Sequence, residues 1–561
     1  MLRLILITSL FPILALAQAP PTSTKLGSIK GRILADGQAV TNATVLVSSV
    51  NVVRQTRAVP TNDNGEFEVK GLEPGMYRVE VSAPAYVSPP VDPDEEIHRT
   101  GDSVTVNMIK GGVITGKVST NDNDPIVGVR VRAMMVRDSA GRRPAQLAPS
   151  FDKLTDDRGV YRIFGLLPGT YVVFAGGRGS SGAGANAYDN DAPSFAPSST
   201  RDSAEELSLG AGEERTVDIR YRGTTGHAVS GKVNGPPTLD TRWTTINLER
   251  VLNAERDLKI STYQRGDTKG FEFQGVADGD YFVWADYGSP SGEILRSEAK
   301  RITVKGADVT GIDLSVKALA SVAGTVVLEP STIADCKGKA RPLFEETLVS
   351  IQRNQKQVPA KEQQVEPSFK GPLQRSADTA GVFQLFNLVA GQYNFDVRFF
   401  ARYWYLRSLT APGAKDAPTD LVRNWLALKA GDRVSGVKVT LSEGASSISG
   451  QVQLPEERRP GRIVVYVVPA QKAPADDVLR HFAVPVADDG SFSLDQVAPG
   501  RYWTIAKLVT GENEINTTAL RLPGMAEARV RLRREAEDAK SEIDLKPCQS
   551  LRNHTLPLTS N

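Results

Sequence analysis

The sequence has little cysteine, little histidine and almost no net charge. Its 561 residues include two Cys and four widely separated His, which are His98, His227, His481 and His554. This scarcity excludes a zinc-finger array and a disulfide-rich scaffold, because both need several closely spaced Cys or His residues. The 67 basic and 65 acidic residues leave a charge of +2, so the chain has no net field to attract nucleic acid or an anionic membrane.

Motifs of enzymes and metal sites are missing as well. No Gly-x-Ser-x-Gly motif is followed by a plausible His partner, and no His-x-x-Glu zinc motif is present. The Asp/Asn-rich turns at 62–64, 156–157 and 488–489 offer two or three oxygen ligands each, whereas Ca²⁺ takes six or more. Hairpin-turn chemistry explains these residues. We therefore expect a non-catalytic protein without a metal or cofactor.

Residues 1–19 are arranged like a secretory signal peptide. Met1-Leu2-Arg3 gives a short positive start, an apolar run follows, and Ala15-Leu16-Ala17 or Ala17-Gln18-Ala19 is a small-x-small cleavage site. The apolar run is about 13 residues long, whereas a membrane span needs roughly 20. We therefore expect a mature chain that is exported to the periplasm or the extracellular space and is not an integral membrane protein.

Glycine and proline are abundant, with 49 and 34 residues, and they punctuate a pattern that recurs five times. Each copy has a polar-Gly turn, an alternating strand, a second turn and a Tyr that opens another strand. Those tyrosines are Tyr77, Tyr171, Tyr281, Tyr393 and Tyr502. A Gly inside a strand pattern opens each copy, at Gly31, Gly116, Gly231, Gly324 and Gly450. Such a Gly indicates a bulge or the close approach of another backbone.

These repeats predict an all-β protein, a tandem array of about five small antiparallel β-sandwich domains with a short helix near the C-terminus. We number the domains as units 1 to 5, at 26–110, 111–222, 226–318, 319–443 and 444–547. Unit 2 includes a Gly/Ser-rich loop at 176–200, unit 4 has long insertions, and unit 5 includes a helix at 525–540. Residues 548–561 are expected to be a tail. The short linkers predict a rod with restricted hinges.

The opening glycines and the Gly-x-Phe/Tyr…Pro-Gly-x-Tyr hairpins resemble the carboxypeptidase regulatory-like domain. That domain is a transthyretin-like (prealbumin-like) or carbohydrate-binding-like β-sandwich. The same motifs are similar to the B-type repeats of collagen-binding adhesins. Units 1 and 2 match well, whereas units 3 and 4 lack the Pro. The resemblance implies a sandwich fold for nearly the whole mature chain, and this fold occurs in proteins of many functions.

The resemblance to adhesins implies one covalent feature, an isopeptide bond between a Lys and an Asn with an acidic residue nearby. In unit 1 the matching residues are Lys30, Asn107 and Glu80. Strand alternation directs Lys30 toward solvent, so we expect ordinary exposed charges at these positions.

The carbohydrate-binding-like resemblance makes sugar the favoured ligand class. Exposed aromatic rings stack on sugar rings, and the candidates are Tyr403, Trp404 and Tyr405, with Trp425. Three consecutive aromatic side chains on a strand cannot all enter one core, because alternate residues face opposite ways. The alternative is that the aromatic stretch 399–405 forms a contact between domains.

The sequence thus predicts an exported, non-catalytic binding protein whose partner is a polysaccharide or a surface protein. The alternative function is a structural or adhesive scaffold for protein–protein interaction, without sugar affinity. Export permits a disulfide between Cys336 and Cys548. The sequence leaves both that pairing and the oligomeric state open.

Overall fold

The computed structural model describes most of units 1 to 5. The signal peptide expected at 1–19 and residues 179–185 of the expected loop lie outside the described residues. Within the described residues, no helix is long and apolar enough to cross a membrane. The described ranges are 26–50, 56–89, 97–144, 151–178, 186–236, 244–253, 255–263, 270–288, 292–354, 356, 373–413, 417–454, 462–471, 477–509 and 516–559.

Unit 1 consists of two sheets with a shared core. One sheet has the strand order β2-β1-β9-β7, with β5 also paired to β1, and the other has the order β4-β3-β6-β8. Ile33, Val45, Phe67 and Tyr77 pack between them. The strands are β1 (Gly27–Ala35), β2 (Gln38–Ala39), β3 (Thr44–Ser49), β4 (Thr56–Pro60), β5 (Glu66–Leu72), β6 (Met76–Ser82), β7 (Tyr86–Val87), β8 (Ile97–Arg99) and β9 (Ser103–Lys110).

Unit 2 has the same arrangement, with a core that includes Ile114, Val131, Tyr161 and Tyr171. Its strands are β10 (Gly112–Ser119), β11 (Arg130–Asp138), β12 (Phe151–Leu154), β13 (Val160–Leu166), β14 (Gly169–Ala175), β15 (Ser194–Phe195), β16 (Leu207–Leu209), β17 (Glu214–Thr216) and β18 (Ile219–Arg220). The sheets follow the orders β13-β10-β17 and β12-β11-β14-β15, with β18 added to β10 and β16 to β14.

In unit 3 the strands form one continuous hydrogen-bonded sheet instead of two. Its strand order is β21-β20-β23-β24-β26-β19-β22, with β25 paired to β23. Its core includes Val229, Leu248, Phe273 and Val283. The strands are β19 (His227–Asn234), β20 (Thr244–Leu252), β21 (Glu255–Tyr263), β22 (Gly270–Val276), β23 (Gly279–Gly288), β24 (Ile294–Ser297), β25 (Lys300–Val304) and β26 (Val309–Ala318).

Unit 4 again has two sheets, β30-β27-β35-β32-β33 and β29-β28-β31-β34. Val322, Phe383, Tyr393 and Trp404 belong to its core. The strands are β27 (Ala320–Glu329), β28 (Leu348–Arg353), β29 (Leu373–Ser376), β30 (Val382–Leu388), β31 (Gly391–Arg398), β32 (Trp404–Ala411), β33 (Thr419–Asp420), β34 (Leu426–Leu428) and β35 (Arg433–Glu443).

Unit 5 forms the path β38-β37-β40-β42-β36-β39, with β41 paired to β40. Its helices cover one face of β37 and β40, where Leu532 and Ala536 meet Tyr466 and Ile505. The elements are β36 (Ser446–Gln453), β37 (Arg462–Pro469), β38 (Phe482–Pro485), β39 (Ser491–Val497), β40 (Gly500–Val509), α1 (Thr517–Arg521), α2 (Ala526–Asp538), β41 (Glu542–Leu545) and β42 (Ser550–Thr559). The all-β class and the short C-terminal helix are therefore confirmed.

The segment at 548–561 is not a tail. Residues Ser550–Thr559 form β42, which pairs parallel with both β36 and β40, and Leu556 lies in the core of unit 5. Its Leu-Arg-Asn-His-Thr-Leu-Pro-Leu sequence alternates only in part, so the alternation that identifies other strands is weak here.

The opening strand of each unit lies between the first hairpin strand, to which it is antiparallel, and the closing strand, to which it is parallel. The opening glycine allows this closeness. A Cβ placed on Gly31 would lie 1.9 Å from the carbonyl oxygen of Val104, and one on Gly324 would lie 2.2 Å from that of Val437. The close backbone approach predicted for these glycines is confirmed.

The tyrosine of every hairpin locks the turn that precedes it. Its hydroxyl donates a hydrogen bond to the carbonyl oxygen four residues earlier, at 2.8 Å for Tyr77 and at 2.7 Å for Tyr171 and Tyr502. Tyr281 and Tyr393 form the same bond. A ring buried in the core thus fixes a turn at the surface.

The Asp/Asn turns are held by their own backbone. Asn62 Oδ1 accepts hydrogen bonds from the amides of Asn64 and Glu66, and Asp156 Oδ1 accepts them from Arg158 and Val160. The hydrogen bond from the Arg158 side chain is the largest cause of a lowered pKa of Asp156, and the backbone hydrogen bonds from Val160 and Arg158 lower it further. Turn formation explains the oxygen-rich character of these segments.

The expected rod is wrong, because units distant in sequence touch. Unit 1 packs on unit 4 through a small apolar cluster that joins Val50, Met76 and Ile97 to Leu348. The guanidinium of Arg99 also lies 4.9 Å from the centre of the Phe400 ring. The array therefore folds back on itself instead of extending in a line.

Candidate functional site

Trp404, the central residue of the predicted sugar-binding aromatics, is buried. It is 1% exposed and packs with Phe399 and Leu409 in the core of unit 4. The prediction that Trp404 contacts a ligand is therefore wrong: as the first residue of β32, its side chain alternates toward the interior. Trp425 lies half-buried just before β34, away from the cavity described below.

Tyr403 is half-buried, and its ring is in contact with charged neighbours. The Lys339 ammonium lies 4.5 Å and the Arg402 guanidinium 6.0 Å from its ring centre. A hydrogen bond with Ser550 of unit 5 lowers the pKa of Tyr403, and the charge of Lys339 acts in the same direction. Its ring thus belongs to the junction of units 4 and 5.

The stretch 399–405 makes several further contacts between units. The side-chain amide of Gln496 donates to the carbonyl oxygen of Phe399 at 2.7 Å, and Arg402 forms a 2.8 Å ion pair with Asp495. Phe400 joins unit 1 to unit 4, as described above. These contacts match the alternative interpretation, in which the aromatic stretch joins domains.

Tyr405 is the only one of the four predicted ligand-binding residues that lines a large cavity among the described residues. This cavity, which we call the 4–5 cleft, has a volume of about 750 Å³ and lies between units 4 and 5. Its walls are Val397, Phe399, Tyr405, Leu406, Arg407, Asp477, Leu479, Arg480, Phe482, Leu494, Asp495, Gln496, Ala498, Thr517 and Arg521.

The charged groups of the 4–5 cleft are anchored in place. Arg480 donates to the carbonyl oxygen of Pro499 and to the Tyr502 hydroxyl, and its Nε lies 3.3 Å from Asp477 Oδ2. Arg407 pairs with Glu329. Donors and acceptors that are fixed in the wall of a cavity are typical of a preformed ligand site.

Arg521 carries the most deeply placed charge of the cleft. Its guanidinium donates to the carbonyl oxygens of Leu479 and His481 and lies 4.8 Å from the Phe482 ring centre. Loss of water lowers the pKa of Arg521, although the charges of Asp396 and Asp477 oppose this. The segment 479–482, from the turn before β38 to its first residue, thus supplies these contacts.

A disulfide joins the two units that form the cleft. Cys336 of unit 4 and Cys548 of unit 5 are bonded, with 212 positions between them in sequence. Both are buried, at 1% and 8% exposure. The sequence left this pairing open, because the two cysteines meet only through the packing of the two units.

The four His residues lie on separate strands or turns and are engaged locally. His481 is 1% exposed, and burial, reinforced by Arg529, Arg521 and Arg533, lowers its pKa to about 4. His227 lies 3.2 Å from Asp278, and His554 Nε2 lies 3.1 Å from Thr504 Oγ1. Within the described ranges, no group of three or more His, Cys, Asp or Glu side chains is arranged to hold a metal.

The three residues of the implied isopeptide bond do not meet. Lys30 of β1 pairs with Ser103, whereas Asn107 of β9 pairs with Leu34, four positions further along. Glu80 lies on β6 of the other sheet, and all three side chains are exposed. This arrangement agrees with ordinary surface charges.

Comparison with known proteins identifies one part of the chain. Residues 28–107 match the carboxypeptidase regulatory-like domain. This match confirms for unit 1 the resemblance drawn from its opening glycine and hairpin. No curated protein matches the sequence.

Solved structures offer only distant likenesses. The Bacillus anthracis TIE protein is 14% identical over 52% of this chain and 51% of its own, with a TM-score of 0.14. This chain therefore matches about half of that protein's length. The Streptococcal ancillary pilin is 12% identical over 52% of this chain and 99% of its own, with a TM-score of 0.16. The corresponding values for BcpA, the major pilin subunit of Bacillus cereus, are 10%, 52%, 99% and 0.14.

Sequence reasoning missed most of the 4–5 cleft. Asp477 and Arg480 stand in a short turn and Arg521 ends the short helix α1. None of them belongs to a motif, so nothing in their local sequence distinguishes them from other surface charges. They meet Tyr405 only because unit 5 packs against unit 4. The aromatic stretch at 399–405 was the one local signal near this place.

Proposed function

We propose that this chain is an exported, non-catalytic binding scaffold, structural or adhesive in role, which holds its ligand in the 4–5 cleft. The observation that carries the proposal is the cleft itself, whose walls come from two units that are fixed to each other. Such a site needs little ordering when a ligand binds, and preorganisation of this kind favours affinity.

Several bonds support the fixed shape of the cleft. The Cys336–Cys548 disulfide, the Arg402–Asp495 ion pair and the hydrogen bond from Gln496 to Phe399 all cross between units 4 and 5. The Thr518 hydroxyl adds a 3.1 Å bond to Asp396. A hinge between these two units would have to break them together.

The disulfide also supports the proposed location. Structural disulfides form and persist in oxidising compartments and are rare in the cytosol of mesophiles. A buried disulfide therefore agrees with the signal peptide expected at 1–19. We place the mature chain in the periplasm or outside the cell.

Carbohydrate is the ligand class favoured by one specific feature. The half-exposed ring of Tyr405 lines the same cleft as Asp477, Arg480 and Gln496. An aromatic surface with a few fixed polar groups provides both contact area and orientation for a hydroxyl-rich ligand. A surface protein or peptide is the alternative occupant.

The experiment compares the mature chain with Tyr405→Ala on a glycan array and in binding to purified surface polysaccharide and surface protein. Tyr86→Ala, a change of the same type in unit 1, is the matched control. We expect a bound glycan whose signal falls at least tenfold in Tyr405→Ala and stays constant in the control. A protein ligand with the same loss, and a blank array, would favour the adhesive scaffold.

Two outcomes would contradict the proposal. A ligand that binds Tyr405→Ala as tightly as the unaltered chain would exclude the 4–5 cleft as its site. Substrate turnover by the purified chain would show that it is an enzyme.

A further inference from the structure

A second, smaller cavity lies at the junction of units 2 and 3 and is lined by arginine. Its volume is about 30 Å³, and we call it the arginine cavity. Among the described residues, three arginines and no carboxylate form its wall. The lining residues are Arg132, Gly177, Arg178, Pro193, Phe195, Arg250, Leu258, Ile260, Gln274, Gly275, Val276, Ala277 and Tyr281.

Arg132 brings a buried charge to this wall from β11 of unit 2. It is 2% exposed, and one terminal nitrogen donates to the carbonyl oxygens of Gly176 and Gly177 at 2.8 and 2.7 Å. Its guanidinium lies 4.9 Å from the Phe174 ring centre. The Nε–H of Arg132 is buried and has no hydrogen-bond acceptor within the described part of the chain.

Arg250 brings a second buried charge from β20 of unit 3. It is 5% exposed, and its terminal nitrogen pairs with Asp202 of unit 2 at 2.9 Å. The Nε–H of Arg250 is likewise buried without an acceptor among the described atoms. Two buried donors of the same kind therefore belong to the wall of one cavity.

The carboxylate of Asp257, buried at this junction, is engaged through one oxygen, and its Oδ2 has no hydrogen-bond partner among the described atoms. Asp257 of unit 3 accepts two hydrogen bonds on Oδ1 from Arg201 of unit 2, at 3.0 and 2.8 Å. Asp257 does not line the cavity, so it supplies no hydrogen-bond acceptor there.

The two unpartnered Nε–H groups call for a negatively charged acceptor. A buried donor without an acceptor is costly, more so on a charged group, and guanidinium groups match carboxylates in shape and charge. The cavity exceeds the space needed for one water molecule but is too small for a sugar ring. We propose that the arginine cavity binds one small anion, chloride or a carboxylate of formate size, which joins unit 2 to unit 3.

The experiment measures the melting temperature of the mature chain at constant ionic strength in sodium gluconate, with increasing chloride or formate in its place. Gluconate is too large for the cavity and serves as the reference anion. We expect chloride or formate to raise the midpoint saturably, by roughly 2–4 °C. The arm that saturates at lower concentration identifies the preferred anion.

Two variants locate the effect. Arg132→Met should abolish the anion-dependent rise, because it removes one of the two free donors. Arg162→Met, which removes an exposed arginine of unit 2 paired with Glu214, should keep it. Arg250→Met provides the same test if Arg132→Met does not fold. Equal midpoints in all three salts, or a full anion response in a folded Arg132→Met or Arg250→Met chain, would overturn the proposal.

Discussion

Burial has a strong effect on the protonation of single side chains in this protein. His481 illustrates this, because it lies in the core-facing turn before β38 with three arginines around it. Its Nδ1 lies 3.2 Å from the carbonyl oxygen of Asp477. Burial and the positive charges of Arg529, Arg521 and Arg533 both disfavour the protonated ring.

This environment predicts an acid-sensitive unit 5. The pKa of His481 is about 4 in the folded chain and 6.5 in an unfolded one. As pH falls, His481 therefore binds a proton in the unfolded state before it does so in the folded state. The contribution of neutral His481 to the stability of the fold is complete above pH 6.5 and is lost as pH falls toward 4. We expect a loss on the order of 3 kcal/mol. Melting midpoints measured between pH 4.5 and 7.5 report it.

His481→Gln is the variant for this measurement, because it keeps a donor near Asp477 and cannot titrate in this range. Its midpoint should change less with pH than that of the unaltered chain. Thr555→Ala, an exposed position of unit 5 whose change removes no titratable group, is the control and should leave the pH profile unchanged. A profile that remains equally steep in His481→Gln would refute the assignment.

At the scale of elements, each unit depends on a closing strand that runs parallel to its opening strand. A parallel closing strand cannot form a hairpin with the opening strand, so the chain must cross the unit before it pairs. In unit 5 this strand is β42, at the end of the chain. The whole unit is therefore complete only when its last residues are in place.

We expect Leu556→Ala in β42 to destabilise unit 5 by about 2–5 kcal/mol, because the leucine is 1% exposed and its loss leaves a cavity. Thr555→Ala, at the neighbouring exposed position, is the control and should change stability by less than about 0.5 kcal/mol. Chemical denaturation followed by tryptophan fluorescence measures both. Equal effects of the two substitutions would mean that β42 is not part of the core.

At the scale of the whole molecule, neighbouring units are joined by buried charge as well as by apolar contact. Arg201 of unit 2 and Asp257 of unit 3 form an ion pair in which the side chains are only 6% and 2% exposed. A second pair, between Arg250 and Asp202, crosses the same junction in the opposite direction. The Asp202 side chain is 58% exposed, so of the two pairs Arg201–Asp257 is the one buried on both sides. A pair buried in this way fixes an orientation, because no solvent replaces a lost partner.

Removal of one partner should therefore cost more than removal of both. We expect Arg201→Met to destabilise the chain by about 3–5 kcal/mol, because Asp257 then remains buried without its partner. The double variant Arg201→Met/Asp257→Asn should recover part of this loss. Calorimetry of the three proteins tests the pair, and equal stability of Arg201→Met and the unaltered chain would show that units 2 and 3 do not depend on it.

The repeats made most of the fold predictable. The opening glycines and hairpin tyrosines are local signals that predict the all-β class, and the Ala, Glu and Arg residues at 525–540 predict the helix. The closing strand of unit 5 could not be predicted, because its alternation of apolar and polar residues is incomplete. The contact between units 1 and 4 could not be predicted either, because no local sequence pattern encodes it. Trp404 shows the same limit: its neighbours suggested an aromatic platform, whereas strand register directs it into the core.

The disulfide has a mechanical consequence when the chain is under tension. Tension applied between the two ends would pass directly from Cys336 to Cys548 and would not stretch the 212 positions between them. That segment contains most of unit 4 and nearly all of unit 5, and it would measure roughly 700 Å if extended. Every residue that lines the 4–5 cleft lies within the bridged segment and is shielded from the load. β27 and β42 lie outside the bridge, so the tension acts on these two strands and on units 1 to 3.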